Sequence, residues 1–212
     1  MKFDERFLLL NAVTDRAWLN GNTLEYQVEQ AILGGATMVQ LREKDLPDEE
    51  FIRLAQKVKT VTDKYRVPFV INDNVEVAVA VDADGVHVGQ SDMPASLARE
   101  RIGRDRILGV SVQTVEQAKK AQEDGADYIG AGCAFATSTK ADASCISFAL
   151  LRQICEAVTI PAVAIGGINE DNAIQLKGTK IKGIAVVSAI FSKPDIQAAA
   201  ASLAAIAKTI AE

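Results

Sequence analysis

The sequence predicts an α/β fold in which eight strands and eight helices alternate and the strands close into a (β/α)8 barrel. Apolar strand-like segments alternate with amphipathic helical segments along all 212 residues. Several strand segments, such as AVAI and IAVV, are apolar on both faces, as buried parallel strands are. Eight such units, at about 26 residues each, suffice for a small barrel. We therefore predict a single barrel domain over residues 1–212.

Each unit has its own strand and helix signals. Thr23 and Thr114 are predicted helix N-caps, as is Asp48, while Pro94 suits a first helical turn. The glycine pair at 34–35 ends the first helix. The predicted strands are, in order, LLLNAVT, TMVQLRE, PFVIND, GVHVGQ, ILGVSV, DYIGAG, PAVAIGG and GIAVVSAIF. The predicted helices are TLEYQVEQAILGG, DEEFIRLAQKVKTVTDKYR, NVEVAVAV, PASLARERIG, TVEQAKKAQEDG, SFALLRQICEAV, NEDNAIQLK and KPDIQAAAASLAAIAKTI.

A doubly wound open sheet is the structural alternative. Against it, GAGCAF lacks the third glycine of a dinucleotide-binding fingerprint, and the sequence has no GxxxxGK[ST] loop.

Composition excludes several classes of function. The chain has 23 Lys and Arg residues against 28 Asp and Glu, a net charge of −5, and no basic block, so a nucleic-acid partner is not expected. No apolar run reaches the roughly 18 residues of a membrane span, and the N-terminal apolar stretch is too short for a signal peptide. Three cysteines without a CxxC pair are typical of a reducing compartment, which predicts a cytoplasmic protein.

The single histidine, His87, limits the possible chemistry. It excludes a multi-histidine metal site, and any Ser-His-Asp triad would have to include it. The simplest interpretation is a buried strand histidine whose ring nitrogens are hydrogen-bonded.

Polar residues cluster where the predicted strands end, which is where barrel enzymes carry their chemistry. After strand two, a period of two places Gln40, Arg42 and Lys44 on one side and Leu41 and Glu43 on the other. Two cations projecting into one barrel mouth require an anion. The alternative is that both cations pair with neighbouring carboxylates.

Strand three ends at Asn72 and Asp73, and Asp92 follows strand four. Two carboxylates without histidine or thiolate ligands suggest a hard cation, Mg²⁺ before Ca²⁺. The alternative is that each carboxylate caps the helix that follows it.

The remaining strand ends suggest two anion sites. Ser111 ends strand five. The long loop from about Cys133 to Ser147 is a candidate lid, and its hydroxyl and lysine run suits a diphosphate. Glycines after strand seven and Val187-Ser188 in strand eight suit the phosphate site usual in this fold. The run in the loop is Thr137, Ser138, Thr139 and Lys140.

The order and spacing of these motifs resemble the thiamine-phosphate synthase family, also called thiamine-phosphate pyrophosphorylase. The resemblance extends over nearly the whole chain. The matching segments are QLREK, INDN, DGVHVGQSDMP, GVS, TSTK, VAIGGI and VVSAIF.

The resemblance implies a barrel enzyme that joins 4-amino-2-methyl-5-(diphosphooxymethyl)pyrimidine to 4-methyl-5-(2-phosphooxyethyl)thiazole, forming thiamine phosphate and diphosphate. It implies that Mg²⁺ binds at Asp73 and Asp92, and that Arg42, Ser111 and Lys140 are catalytic. It also moves the hydroxyl run from the diphosphate to the thiazole phosphate. The residues implied for the pyrimidine diphosphate are Gln40, Leu41, Arg42, Glu43, Lys44, Asn72, Ser111 and Lys140. Those implied for the thiazole phosphate are Thr137, Ser138, Thr139, Gly167, Val187 and Ser188.

The chain departs from the family pattern at Cys133 and Ala136, where proline is frequent, and at Gln113, where histidine is frequent. Two alternatives remain: a thiazole tautomerase, which needs an acid–base group that Gln113 does not offer, and a non-catalytic thiamine-phosphate binding protein. The expected partners are small molecules, and the chain is expected to be a monomer or a homodimer.

Overall fold

Eight parallel strands pair in chain order, and the last pairs with the first to close a barrel. The computed structural model describes residues 2–136 and 145–211. This architecture confirms the predicted (β/α)8 fold and excludes the open sheet. The strands are β1 Leu10–Val13, β2 Met38–Leu41, β3 Phe69–Asn72, β4 Gly85–Val88, β5 Ile107–Val112, β6 Tyr128–Gly132, β7 Ala162–Ile165 and β8 Gly183–Val186.

The α-helices cover the outside of the barrel. A 3-10 helix at Glu5–Leu8 precedes β1, and another at Arg16–Trp18 follows it. In the described part of the chain, no helix combines the length and apolar character needed to cross a membrane. The helices are α1 Leu24–Leu33, α2 Asp48–Tyr65, α3 Val75–Ala80, α4 Ala95–Ile102, α5 Val115–Glu123, α6 Phe148–Glu156, α7 Ser188–Phe191 and α8 Ile196–Ala211.

Two of the predicted helix starts are confirmed and two are shifted. The Thr23 and Thr114 hydroxyls each accept a backbone N–H from the first turn at 3.2 Å. Asp48 is not a cap, because Pro47 holds that position and Asp48 is the first helical residue. Pro94 likewise lies at the cap of α4, one residue before the predicted first turn. Both prolines have extended ψ values, which place them outside the helix that follows.

The connection from β7 to β8 is not the predicted α-helix but a 3-10 helix at Ala173–Leu176. The Asn169 side chain accepts the backbone N–H groups of Asp171 and Asn172 at 2.9 and 3.2 Å. The Asn172 side chain in turn accepts the N–H of Asn169 at 2.8 Å. Asparagine side chains that bind nearby backbone in this way compete with helix formation.

Strand β8 is shorter than predicted and ends at Val186. The carbonyl of Val187 accepts the N–H groups of Ile190 and Phe191 at 3.2 and 3.1 Å, which starts the short helix α7. Ser188 is therefore the first residue of a helical turn, not a strand residue. An apolar run of this length is compatible with either structure, so periodicity could not separate them.

Two apolar clusters form the core. The larger lies between the barrel and its helices, and the smaller fills the barrel interior. The interior cluster includes Met38, Val70 and Ile107, which point inward from β2, β3 and β5. Toward the carboxyl ends of these strands, the inward positions become polar at Gln40, Asn72 and Ser111, so the apolar cluster forms the floor of a polar mouth.

Candidate active site

A cavity of about 790 Å³ opens at the carboxyl ends of the strands. Ten of the twelve candidate residues that the structure describes line it, so residues spread over 149 positions of the chain converge in one mouth. These ten are Gln40, Arg42, Lys44, Asn72, Asp73, Asp92, Ser111, Gly167, Val187 and Ser188.

The end of β2 presents its cations to the cavity as the alternation predicts. Gln40, Arg42 and Lys44 line the cavity, whereas the Leu41 side chain is fully buried in the outer core. The Glu43 carboxylate, 6% exposed, pairs with Arg16 at 2.8 Å and does not line the cavity. A substrate contact at Leu41 or Glu43 would therefore have to come from the backbone.

No carboxylate among the described residues lies within 4.0 Å of the Arg42 or Lys44 charged groups in an ion pair. The alternative in which both cations are neutralised by neighbouring carboxylates is wrong for this part of the chain. Two cations without such ion-pair partners at one end of a concave site suit the binding of an anion.

The two aspartates are not helix caps. Asn74 caps α3 by accepting the Val77 N–H at 2.9 Å, and Pro94 holds the cap position of α4. Asp73 has φ +65°, and its backbone N–H donates to the His87 carbonyl at 2.7 Å. The Asp92 carboxylate accepts the Gly89 N–H at 2.7 Å through Oδ2. Both side chains line the cavity, so the capping alternative is wrong.

His87 lines the cavity and forms the middle of a chain of hydrogen bonds. The sequence predicted a buried, hydrogen-bonded histidine but not its two partners. Its Nδ1 lies 2.9 Å from the Tyr128 hydroxyl, and its Nε2 lies 2.9 Å from the Ser111 hydroxyl. The ring is 5% exposed, which confirms a buried, hydrogen-bonded histidine. Burial raises the pKa of the Tyr128 hydroxyl, so this group stays protonated.

The sequence held a signal that could have placed His87 at the site. Val86 and Val88 pack in the outer core, so the alternation of β4 points His87 into the barrel, level with Asn72 on the neighbouring strand. Gly130 leaves room for the ring, because a Cβ there would lie 3.1 Å from Cε1 of His87.

The ends of β7 and β8 build their side of the cavity from backbone. Gly167 has φ +64°, and a Cβ there would lie 2.5 Å from the carbonyl oxygens of Phe135 and Ala136. Only glycine fits this position without displacing the chain. Val187 and Ser188, after the neighbouring strand β8, line the same side of the cavity at the turn into α7.

Thr137, Ser138, Thr139 and Lys140 lie outside the described residues, as does most of the predicted lid. Of the three positions that depart from the family pattern, Gln113 and Cys133 line the cavity. The Gln113 backbone N–H donates to the Gln117 side chain at 2.7 Å.

A family model described as thiamine monophosphate synthase matches residues 10–190. The chain belongs to the thiamine-phosphate synthase family. It is 57% identical over 194 residues to a thiamine-phosphate synthase of Ruminiclostridium cellulolyticum, covering 92% of each chain. A thiamine-phosphate synthase of Clostridium tetani is 53% identical over 194 residues, covering 92% of this chain and 93% of its own.

A solved structure of thiamine phosphate pyrophosphorylase from Pyrococcus furiosus superimposes with a TM-score of 0.89 at 41% identity, covering 97% of this chain and 98% of its own. The chain is thus a transferase of thiamine biosynthesis with the barrel fold of that family. This confirms the resemblance drawn from the motifs at the strand ends.

Proposed function

We propose that the cavity joins 4-amino-2-methyl-5-(diphosphooxymethyl)pyrimidine to 4-methyl-5-(2-phosphooxyethyl)thiazole, releasing diphosphate and forming thiamine phosphate. The observation that carries the proposal is the division of one mouth into two unlike halves. Charged and polar side chains from β2 to β5 form one half, and glycine backbone with Val187 and Ser188 forms the other. This division suits two substrates that carry different anions.

The polar half suits the diphosphate, which must leave with the electron pair of its C–O bond. Arg42 and Lys44 project toward the cavity and can donate charge-assisted hydrogen bonds to diphosphate oxygens. Lys140, which lies outside the described residues, is assigned to the same anion by the family resemblance. Charge stabilisation of this kind becomes stronger as the leaving group develops its charge, so it lowers the barrier to departure.

The donor set of the polar half also fits Mg²⁺. Asp73 and Asp92 supply carboxylate oxygens alone, and magnesium is commonly held by one or two carboxylates plus water and substrate phosphate. Without a bound cation, the formal charges of these two carboxylates cancel those of Arg42 and Lys44. A bound Mg²⁺ would make the set positive and would neutralise charge on the departing diphosphate.

The reaction requires no general base from the protein. When the C–O bond breaks, the aminopyrimidine delocalises the positive charge at its methylene carbon, and the thiazole nitrogen supplies the electron pair of the new C–N bond. No proton is transferred in either step. The protein's task is to align the two substrates and to exclude water.

Ser111 is held in place by its hydrogen bond to His87, whose ring is held in turn by a hydrogen bond to Tyr128. With the Tyr128 hydroxyl donating to Nδ1, the protonated Nε2 of His87 donates to the Ser111 oxygen. The Ser111 proton is then directed to a ligand in the cavity. His87 and Tyr128 are thus positioning residues, and Ser111 is the group that contacts substrate.

The deciding experiment is a coupling assay with both substrates and purified protein. We expect thiamine phosphate to form with Mg²⁺ present and its formation to fall to background in excess EDTA, with recovery when Mg²⁺ is restored. Equal rates with EDTA would exclude the metal role of Asp73 and Asp92. Incubation of the thiazole phosphate alone tests the tautomerase alternative, which would isomerise it without the pyrimidine. Binding of thiamine phosphate without turnover would indicate the non-catalytic alternative.

A further inference from the structure

Two cysteines that the proposed reaction does not use lie side by side at the cavity rim. The Sγ atoms of Cys133 and Cys145 are 3.7 Å apart, although the residues are separated by twelve positions in the chain. Cys133 follows β6 and is buried, whereas Cys145 is exposed. The third cysteine, Cys155, lies on α6 and is partly buried. One thiol of the close pair is therefore accessible to a reagent, and the other is directly behind it.

The backbone holds the two cysteines in register. The Ile146 N–H donates to the Cys133 carbonyl at 2.8 Å. Because Ile146 directly follows Cys145, this hydrogen bond holds Cys145 close to Cys133. Cys133 packs closely against the backbone just after β7, because a Cβ on Gly166 would lie 2.7 Å from its Sγ. A disulfide needs an S–S distance of about 2.05 Å, so the sulfurs must approach by less than the diameter of one atom. The exposed Cys145 is the member of the pair with room to move.

We propose that Cys133 and Cys145 are a redox modification site that forms an intramolecular disulfide on exposure to a small-molecule disulfide. The Cys145 thiolate attacks the reagent, forming a mixed disulfide and releasing one reagent thiolate. The Cys133 thiolate then attacks Sγ of Cys145, forming the Cys133–Cys145 bond and releasing the second reagent thiolate. Both cysteine protons pass to solvent. The two protein thiols are oxidised and the reagent disulfide is reduced to two thiols.

The surroundings of Cys133 suit the second role rather than the first. Burial raises the pKa of its thiol to about 11, so little thiolate exists at neutral pH for attack on a reagent in solution. Attack on a mixed disulfide already formed at Cys145 is intramolecular, and its high effective concentration compensates for the small thiolate fraction. The second step should therefore accelerate as the pH rises toward 9.

The disulfide would alter the cavity as well as the rim, because Cys133 lines the cavity beside Gly166 and Gly167. This consequence rests on the proposed function, in which these glycines face the thiazole phosphate. We expect the oxidised protein to show a several-fold higher KM for the thiazole phosphate, reversible by dithiothreitol.

Tryptic mapping tests the site independently of any activity. The intact protein is incubated with oxidised glutathione at pH 8, remaining thiols are blocked with N-ethylmaleimide, and the digest is analysed without reduction. Trypsin sites place each cysteine on a separate peptide, residues 121–140, 141–152 and 153–177. We expect a disulfide between the first two peptides, a mass loss of two hydrogens in the intact protein, and the third peptide blocked by the maleimide.

Three variants make the result decisive. Cys145→Ser, at an exposed position, should abolish the cross-link, and Cys133→Ser should leave glutathione attached to Cys145. Cys155→Ser is the matched control and should form the cross-link at the wild-type rate. A stable glutathione adduct on Cys145 in the wild-type protein, or a cross-link that includes Cys155, would overturn the site. A cross-link that leaves the KM for the thiazole phosphate unchanged would overturn only its effect on the cavity.

Discussion

The two halves of the barrel mouth offer different means of binding the two anions of the proposed reaction. The half at β2–β5 presents long charged side chains, including Arg42 and Lys44, on strand ends that hold them toward the cavity. The half at β7–β8 presents almost no charge and relies on glycine backbone at positive φ. Both belong to one cavity of about 790 Å³.

The difference follows from what each anion must do in the proposed reaction. A diphosphate that leaves gains negative charge in the transition state, so cations aimed at it lower the barrier. A phosphate that only anchors the second substrate is bound equally before and during the reaction, and uniform binding of this kind affects KM rather than turnover. Substitutions in the two halves should therefore have distinct kinetic signatures.

The largest effect is expected at Arg42. Arg42→Ala should lower kcat by about 100-fold or more, as is typical when one donor to a developing negative charge is removed. The assay is steady-state formation of thiamine phosphate at saturating concentrations of both substrates. Arg53→Ala, on the exposed face of α2, is the matched control and should retain wild-type turnover. A change confined to the KM for the thiazole phosphate would show that Arg42 binds the thiazole phosphate and not the diphosphate.

A smaller effect of a different kind is expected at Gly167. Gly167→Ala should raise the KM for the thiazole phosphate by roughly 10-fold while kcat stays within a factor of two or three, because a misplaced backbone contact weakens uniform binding. Gly178→Ala is the control, since Gly178 has φ +87° but its Cβ would meet no atom within 4 Å. Gly178→Ala therefore introduces the backbone strain of an alanine at positive φ without the steric contact that an alanine at position 167 makes. If both variants raised the KM for the thiazole phosphate equally, the increase would be due to backbone strain and not to a lost contact in the cavity.

The smallest effect is expected at Tyr128, which acts through His87. Tyr128→Phe should lower kcat by about 3- to 10-fold, the scale of one lost neutral hydrogen bond. In a double-mutant cycle, Tyr128→Phe should cause no further loss in the Ser111→Ala background, because Tyr128 acts only through the Ser111 hydroxyl. Tyr26→Phe, at an exposed position, is the control. Additive losses would mean that Tyr128 affects turnover independently of Ser111.

Most of the polar half could be predicted from the sequence. A period of two placed Gln40, Arg42 and Lys44 on one side, and the structure brings all three to the cavity. The same reasoning separated Leu41 and Glu43 from them. Prediction was weaker for the half of the mouth at β7–β8, where the predicted end of β8 and the predicted α-helix after β7 were both wrong. Two local features determine these elements: the side-chain hydrogen bonds of Asn169 and Asn172, and the backbone turn at Val187. Neither feature can be detected from the periodicity of apolar residues.

The sequence by itself determined the number of units, the parallel barrel and the level at which polar residues replace apolar ones, because these follow from alternation along each strand. Only the tertiary structure decided which of the distant polar groups meet. The contact of His87 with both Tyr128 and Ser111 depends on the register of three strands and on the space left by Gly130. The approach of Cys133 to Cys145 is accompanied by the backbone hydrogen bond from Ile146 to Cys133, which closes the loop between β6 and α6. Such contacts depend on the packing of whole strands, which no local pattern of residues specifies.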